Sequence, residues 1–384
     1  MNRKAKRLNL RAGEVVEVRG RDEILATLDS KAALDGLPFM PEMLQHCGKR
    51  FRVYKRADKT CDNIKAWSMR RMVDSVFLQD LRCDGVDHGG CQADCLIFWK
   101  EAWLKRVGDK SPSLAPPPSP GAGCILDTLL QSTKADSPDA SCTPTYSCQA
   151  TRLLEFTSNL PWWDVRQHVR DITSGNVKPE CGGPSQSDRI LETVLSAITV
   201  LRGLVISTFN AIQSRRHTSR YPSIEGTTAK APPGNLNLRP GELVKIKSKE
   251  EIVATLNDSN RNRGLLFEGE MLRYCNGIYK VRRRVNRIID EKTGKMLDMK
   301  NPCILLEDVF CQGDYHNHCP RAIYSYWREG WLERASGEIT AGCNVPQESA
   351  RAQAGGFVNN GIPAPAEAAV DARVSASETM IGLQ

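Results

Sequence analysis

The 384-residue sequence lacks several features that would assign it to a common class. Its N-terminus is basic and then polar, without the apolar run that a secretory signal contains. It has no phosphate-binding glycine loop, and its closest approach to a nucleophilic triad is Cys148 with His168 and Asp164. A lone Cys and His without a flanking signature are usually structural. We therefore expect a cytoplasmic protein in a reducing compartment and favour a non-enzymatic function.

The sequence also lacks a strong charge of one sign. Its 53 Lys and Arg residues and 45 Asp and Glu residues give a net charge of +8. Residues 8–107 contain 17 basic and 15 acidic residues, and residues 235–334 contain 18 and 14. This balance is weaker than the basic stripe of a dedicated DNA-binding protein. It favours a solvated surface of mixed charge.

What the sequence does contain is an internal match at a fixed offset of 228 residues. Segment 1 (residues 8–107) and segment 2 (residues 235–334) align without a gap, with 33 identities over the 99 positions from Leu8 to Arg106. The match predicts two homologous modules with one fold.

One set of cysteine and histidine residues occurs in both segments. Each set has the spacing C-x35-C-x4-H-x2-C, which supplies four ligands for a closed tetrahedral zinc site. In a reducing compartment, grouped Cys and His bind metal more often than they form disulfides. We therefore predict two structural zinc ions per chain. The predicted ligands are Cys47, Cys83, His88 and Cys91 in segment 1, and Cys275, Cys311, His316 and Cys319 in segment 2.

Other ligands and other interpretations remain open. Four residues could replace a predicted ligand but occur in one segment only: Cys61, Cys95, Cys303 and His318. An iron–sulfur centre is a further alternative, although a histidine ligand favours zinc. The thiols could also be small buried hydrophobic groups without a metal.

The rest of the chain divides by composition. Residues 108–123 are rich in Pro and Ser and predict a stiff linker. Residues 124–226, the central segment, predict a helical region because apolar residues recur there at helical spacing. Arg202 lies in the middle of this apolar run, so we expect an amphipathic helix that is buried or faces a partner, and no membrane. The Ala- and Gly-rich tail, residues 335–384, predicts disorder.

Local patterns within each segment predict short strands and little helix. Residues 290–295 are typical of a hairpin turn, and residues 22–28 of a short helix. The pairs Trp99/Trp103 and Trp327/Trp331 have the four-residue spacing of one helix face and are predicted to pack in the core. The predicted fold is α+β, with two small, strongly bent antiparallel β modules (loosely SH3-like barrels) joined by the helical central segment.

A second class of function is nucleic-acid binding. Basic and aromatic residues interleave at residues 49–56 and 279–284, as they do in proteins that bind single strands. The residues that would contact phosphate are Arg50, Arg52, Lys55, Arg282 and Arg284.

Two stretches, residues 82–91 (with Arg82-Cys83-Asp84-Gly85 and His88-Gly89-Gly90-Cys91) and 98–104 (Phe98-Trp99-Lys100-Glu101-Ala102-Trp103-Leu104), resemble uncharacterised bacterial proteins with Cys/His-containing repeats. The resemblance implies no activity. Our leading hypothesis is a zinc-stabilised interaction or scaffold protein, whose two modules would gain avidity for a protein partner. The alternatives are nucleic-acid binding and an enzyme of bacterial specialised metabolism with its site in the central segment.

Overall fold

Antiparallel strands dominate the structure. The computed structural model describes residues 7–62, 68–108, 124–134, 144–161, 163–177, 186–216, 221–222, 224–229, 231–232 and 234–335. These residues belong to one packed unit. The predicted linker (residues 108–123) and the predicted disordered tail (335–384) lie outside the described residues, apart from the first residue of each.

Segment 1 forms a curled antiparallel sheet. Its elements are β1 (Val15–Val18), α1 (Arg21–Leu25), β2 (Ala33–Leu34), β3 (Leu37–Pro38), a 3-10 helix (Pro41–His46), β4 (Arg50–Arg56), β5 (Lys59–Cys61), β6 (Met69–Arg71), β7 (Ser75–Arg82), a 3-10 helix (Val86–His88), β8 (Leu96–Lys100), a 3-10 helix (Glu101–Trp103) and β9 (Leu104–Arg106). The strand order of the main sheet is β8-β7-β4-β1-β9. The register between β4 and β7 shifts between Val53 and Lys55, and such a bulge bends the strand.

The central segment has three helices and one strand. They are α2 (Leu126–Gln131), β10 (Ser158–Leu160), α3 (Arg166–Thr173) and α4 (Gln186–Arg215). The segment packs on segment 1, because β10 pairs with β6. The Asn176 side chain also hydrogen-bonds to both backbone groups of Arg56, and a buried ion pair of 2.6 Å joins Lys59 to Asp171.

Segment 2 forms a second curled sheet, of order β15-β14-β11-β16. Its elements are β11 (Leu243–Ile246), α5 (Lys249–Val253), β12 (Arg261–Asn262), β13 (Leu265–Leu266), a 3-10 helix (Gly269–Tyr274), β14 (Ile278–Ile289), β15 (Met296–Leu306), a 3-10 helix (Glu329–Trp331) and β16 (Leu332–Arg334). The bounds of β11, α5 and β16 equal those of β1, α1 and β9 plus 228. The shift between Val281 and Arg283 falls where segment 1 has its own. The fold is thus mixed α+β, with two strongly curled antiparallel half-barrel sheets.

The predicted hairpin turn at residues 290–295 is confirmed, since it joins β14 to β15. The helix predicted at residues 22–28 is present as α1 but ends at Leu25. Helix α4 confirms a helix in the central segment. By length and composition alone, its stretch Thr193–Asn210 could cross a membrane, and 22% of that stretch is buried.

The tryptophan pairs are in the core, as predicted, but not on helices. All four side chains are fully buried: Trp99, Trp103, Trp327 and Trp331. Trp99 belongs to β8, whereas Trp103 ends a 3-10 helix of three residues. The helix prediction was wrong because a strand followed by one tight turn also brings residues four apart into one core. Each second tryptophan donates its indole N–H to a threonine hydroxyl, Trp103 to Thr27 at 3.1 Å and Trp331 to Thr255 at 2.9 Å.

A buried glutamate fixes the start of each segment. The Glu101 carboxylate accepts the backbone N–H groups of Leu8, Asn9 and Leu10, at 2.8 to 3.0 Å, and the Arg56 guanidinium at 2.6 Å. At the equivalent positions, Glu329 accepts the N–H groups of Leu236 and Leu238 at 3.0 Å and pairs with Arg284. Charge-assisted hydrogen bonds of this kind are strong when they are buried.

We expect Glu101→Gln to lower the free energy of unfolding by about 3–5 kcal/mol, because it breaks a buried ion pair and leaves Arg56 undercompensated. Glu17→Gln is the matched control, since Glu17 pairs with Arg50 and Lys105 at the surface. It should cost at most about 1 kcal/mol. Urea denaturation of both variants measures the difference, and equal costs would contradict the role given to Glu101.

Candidate metal centre

Three potential metal ligands meet in segment 1. The ligand atoms of Glu42, Cys83 and His88 all lie within 4.8 Å of one another. The Nδ1 atom of His88 is 3.6 Å from Glu42 Oε1 and 4.0 Å from Cys83 Sγ. Ligands at zinc-bond lengths around a tetrahedral ion are about 3.3–3.8 Å apart. The group could therefore close on such an ion with small movements.

The same three residue types meet in segment 2, each 228 positions later. They are Glu270, Cys311 and His316, again with all ligand atoms within 4.8 Å. His316 Nδ1 is 3.3 Å from Glu270 Oε1 and 3.6 Å from Cys311 Sγ. The structure thus contains two Glu/Cys/His triads that are close enough to hold a metal ion.

A tight loop after the β7 strand presents the Cys and His of each triad. Gly85 has φ of +77°, and a Cβ there would lie 1.9 Å from the Cys91 carbonyl oxygen, so only glycine fits. Gly313 takes its place in segment 2, with φ of +82°. The N–H of His88 donates to the Gly85 carbonyl at 3.0 Å, and that of His316 to Gly313 at 3.1 Å. The glutamate arrives from the second residue of the preceding long 3-10 helix.

The first triad is buried with unsatisfied polar atoms. Both carboxylate oxygens of Glu42 and the Nε2 atom of His88 are buried without a hydrogen-bond partner. Burial raises the pKa of the Glu42 carboxyl, and burial also raises the pKa of the Cys83 thiol. Buried polar groups without partners are costly, and a cation among them would remove that cost and hold both groups ionised.

The second triad is partly compensated by the protein itself. Glu270 Oε1 accepts the N–H of Tyr315 at 2.7 Å. Burial opposes ionisation of Glu270, but hydrogen bonds from His316 and from that N–H lower its pKa overall. Burial likewise opposes protonation of His316, yet its hydrogen bond to Glu270 raises its pKa. Burial raises the pKa of the Cys311 thiol.

The structure brings together two of the four predicted ligands in each segment and adds a glutamate. Among the described residues, neither triad includes the remaining four: Cys47, Cys91, Cys275 and Cys319. Cys47 and Cys275 are half-buried and pack at the edges of the two cores. Burial raises the pKa of Cys275 to about 11.

Cys91 and Cys319 contact the opposite segment instead, in a reciprocal manner. The Cys91 sulphur accepts the N–H of Ile289 at 3.4 Å, and the Cys319 sulphur accepts the N–H of Cys61 at 3.1 Å. Cys61 and Ile289 are themselves equivalent positions, 228 residues apart. Equivalent residues therefore meet across the contact between the segments, as in an isologous dimer.

The remaining alternative ligands also have other surroundings. Cys303 is buried beside the Arg328 guanidinium, 3.4 Å from its Nη1 atom. His318 is buried, and burial lowers its pKa to about 4. Cys95 lies in the wall of a cavity described below.

The residues predicted to contact nucleic acid have protein partners. Arg282 forms an ion pair with Asp94, and Arg284 forms one with the buried Glu329. In segment 1, Arg50 pairs with Glu17 at 3.2 Å, and Arg52 donates to the Gly13 carbonyl at 2.9 Å. Lys55 lies over the ring of Tyr54. These contacts direct much of the positive charge towards the protein.

The three residues of the weak nucleophilic pattern are engaged separately. Cys148 packs against the core of segment 1. Asp164 forms ion pairs with Arg71 and Arg166. His168 is buried, and burial lowers its pKa to about 4. The structure gives no printed contact between the three.

No known family model matches the chain, and no curated protein matches it. The chemistry of the site is therefore argued from its geometry alone.

Sequence reasoning missed the glutamate ligands, although a signal was present. The tripeptide Glu42-Met43-Leu44 recurs as Glu270-Met271-Leu272, at the same offset as the Cys and His residues. The search for ligands stopped at Cys and His, because a glutamate on a polar surface carries no metal signal by itself.

We expect Cys311→Ser to lower the metal content of the purified protein by one ion per chain and to destabilise segment 2, because the triad would lose its only sulphur. Cys303→Ser is the matched control, since Cys303 is a buried thiol outside the triads and segment 1 has Ser75 at that position. It should keep the metal. Elemental analysis with thermal unfolding measures both variants, and equal metal loss would show that the ligands are misassigned.

Proposed function

We propose that the protein is a non-enzymatic interaction or scaffold protein stabilised by two zinc ions, one in each segment. The observation that carries the metal proposal is the recurrence of one Glu/Cys/His triad at an offset of 228 residues in both curled sheets. Chance neighbours on a surface would not recur with the same residue types. A thiolate with an imidazole favours zinc over calcium or magnesium, which prefer oxygen ligands.

The proposed ions stabilise the fold by closing loops. In segment 1 the metal would tie the 3-10 helix Pro41–His46 to the loop that follows β7, and it would do the same in segment 2. Metal binding to such a site adds to the free energy of folding, because the unfolded chain does not hold the ligands together.

We also infer that the two segments are homologous modules that arose by duplication, with a strongly bent, loosely SH3-like barrel in each. Three features support this: the 33 identities, the coinciding element bounds, and the equivalent bulges at Val53 and Val281.

The interaction part of the proposal is supported by one face of α4. Six apolar side chains, each 45–60% exposed, follow one another at steps of three or four residues: Val194, Ile198, Leu201, Val205, Phe209 and Ile212. The opposite face packs on the protein, where Asn210 donates to the Tyr221 carbonyl at 2.9 Å. An exposed apolar stripe of this length is unusual on a monomer and is typical of a surface that binds a protein partner.

We expect the purified protein to contain two zinc ions per chain. Glu42→Gln and Glu270→Gln should each reduce this number by one, and the double variant should contain none, because an amide is a poor ligand. Glu14→Gln serves as the control, since Glu14 is a surface partner of Arg106. Elemental analysis at matched protein concentration gives the numbers, and an unchanged content in both triad variants would refute the metal proposal.

For the surface of α4, we expect the double change Leu201→Glu with Val205→Glu to leave the melting temperature unchanged, because both side chains are exposed. The change should abolish co-purification of any protein that the unaltered full-length chain retains. Val200→Glu is the contrasting variant, since Val200 is buried and a charge there should cost roughly 3 kcal/mol or more. If the double change unfolds the protein, the stripe belongs to the core.

A further inference from the structure

A cavity opens beside the first triad, where the three parts of the chain meet. Its volume is about 560 Å³ including its open mouth. Cys83 and His88 of the triad contribute to its wall, Cys148 comes from the central segment, and Ile289 and Arg321 come from segment 2. No residue of the second triad lines it. The two metal sites therefore differ in what adjoins them.

The cavity wall contains one cationic group whose hydrogen-bonding capacity is incompletely used. The Arg321 side chain is almost fully buried, and its Nη1 atom has no hydrogen-bond partner. Its Nη2 atom is 3.5 Å from Glu291 Oε1, a long contact. A guanidinium binds carboxylate groups through paired N–H donors, so a buried Nη1 facing a cavity is suited to an anionic group.

The other charged and polar groups of the wall are already engaged. Asp94 pairs with Arg282, and Glu291 is the partner of Arg321 Nη2. The Gln149 amide bonds to backbone groups of Phe98 and Pro38. Arg321 Nη1 and His88 Nε2 are the unpartnered polar atoms among the described side chains of this wall.

The remaining wall is apolar. Met40, Leu96, Ile97, Phe98 and Ile289 supply most of it. The thiols of Cys95 and Cys148 belong to neither ligand group among the described residues, and buried thiols of this kind act as apolar surface. A ligand that fills the cavity therefore needs an apolar body together with one anionic group.

We propose that this cavity binds a small organic carboxylate with an apolar body, whose carboxylate pairs with Arg321 and whose body lies against Leu96, Ile97 and Phe98. The binding site does not require the metal ions. A consequence for the first metal ion does rest on the proposed function. Three protein ligands leave a fourth position on a tetrahedral ion, and Cys83 and His88 face this cavity, so an occupant alters the surroundings of that ion and not of the second.

The test is calorimetric titration of the full-length protein with hexanoate, acetate and hexanol. We expect hexanoate to bind more tightly than acetate by about fourfold for each added methylene. Hexanol, which lacks the charge, should bind at least tenfold more weakly than hexanoate. Absence of hexanoate binding at millimolar concentration would mean that water alone fills the cavity, and it would overturn the proposal.

Two variants locate the site. Arg321→Met should weaken hexanoate binding at least tenfold, whereas Arg321→Lys, which retains the charge, should weaken it less. Because Arg321 is buried and its loss could unfold the protein, Ala93→Leu is a second test. Ala93 lines the cavity, and a larger side chain there should block hexanoate while Arg321 is kept. Unaltered affinity in Ala93→Leu would place the ligand elsewhere.

Cobalt replacing zinc reports on the two metal sites separately. Hexanoate should shift the visible absorption of cobalt in Glu270→Gln, which retains the first site, and leave it unchanged in Glu42→Gln. If no cobalt binds, the proposed metal function fails while calorimetry still decides on the cavity. If cobalt binds and hexanoate neither shifts its spectrum nor gives heat, the cavity proposal fails alone.

Discussion

The structure depends on one buried carboxylate in each segment. Glu101 and Glu329 gather backbone N–H groups from the start of their own segment, and each also pairs with an arginine of the first long strand. A lone buried carboxylate would be very costly, so the residues around it are constrained together. The chain entry, the long strand and the final 3-10 helix of each half-barrel are joined at this point. The tryptophans and the β9 or β16 strand follow from the same turn.

This constraint changes how the basic strands should be understood. Arg284 looked like a phosphate ligand because it lies in a run of arginines, yet its partner is Glu329. Its equivalent in segment 1 is Arg56, which binds Glu101 and Asp58. An arginine that completes a buried ion pair is unavailable to a polyanion without unfolding. The interleaved basic pattern therefore has a structural origin at these two positions.

Much of the fold was predictable, because its signals are local. The hairpin at residues 290–295, α1 and the long helix α4 follow from turn chemistry and apolar periodicity. The tryptophan pairs were assigned to the core correctly and to a helix wrongly, since a spacing of four residues does not distinguish a helix from a strand that ends in a tight turn. In the site, Cys83 and His88 were predictable from the repeated pattern, as were Cys311 and His316. Glu42 and Glu270 were not, because their role depends on burial that arises only in the folded chain. The roles of Cys91 and Cys319 depend on how the two segments pack, which no pattern within one segment contains.

The reciprocal contacts of Cys91 with Ile289 and of Cys319 with Cys61 have a consequence for how such a protein can change. In a pair of separate identical subunits, every substitution appears twice, so an alteration that benefits one half is imposed on the other. Covalent linkage removes that restriction. One half can retain a thiol where the other has isoleucine, and one triad can acquire an adjoining cavity while its counterpart stays enclosed by a tyrosine N–H. Asymmetry of this kind is accessible only to a fused chain.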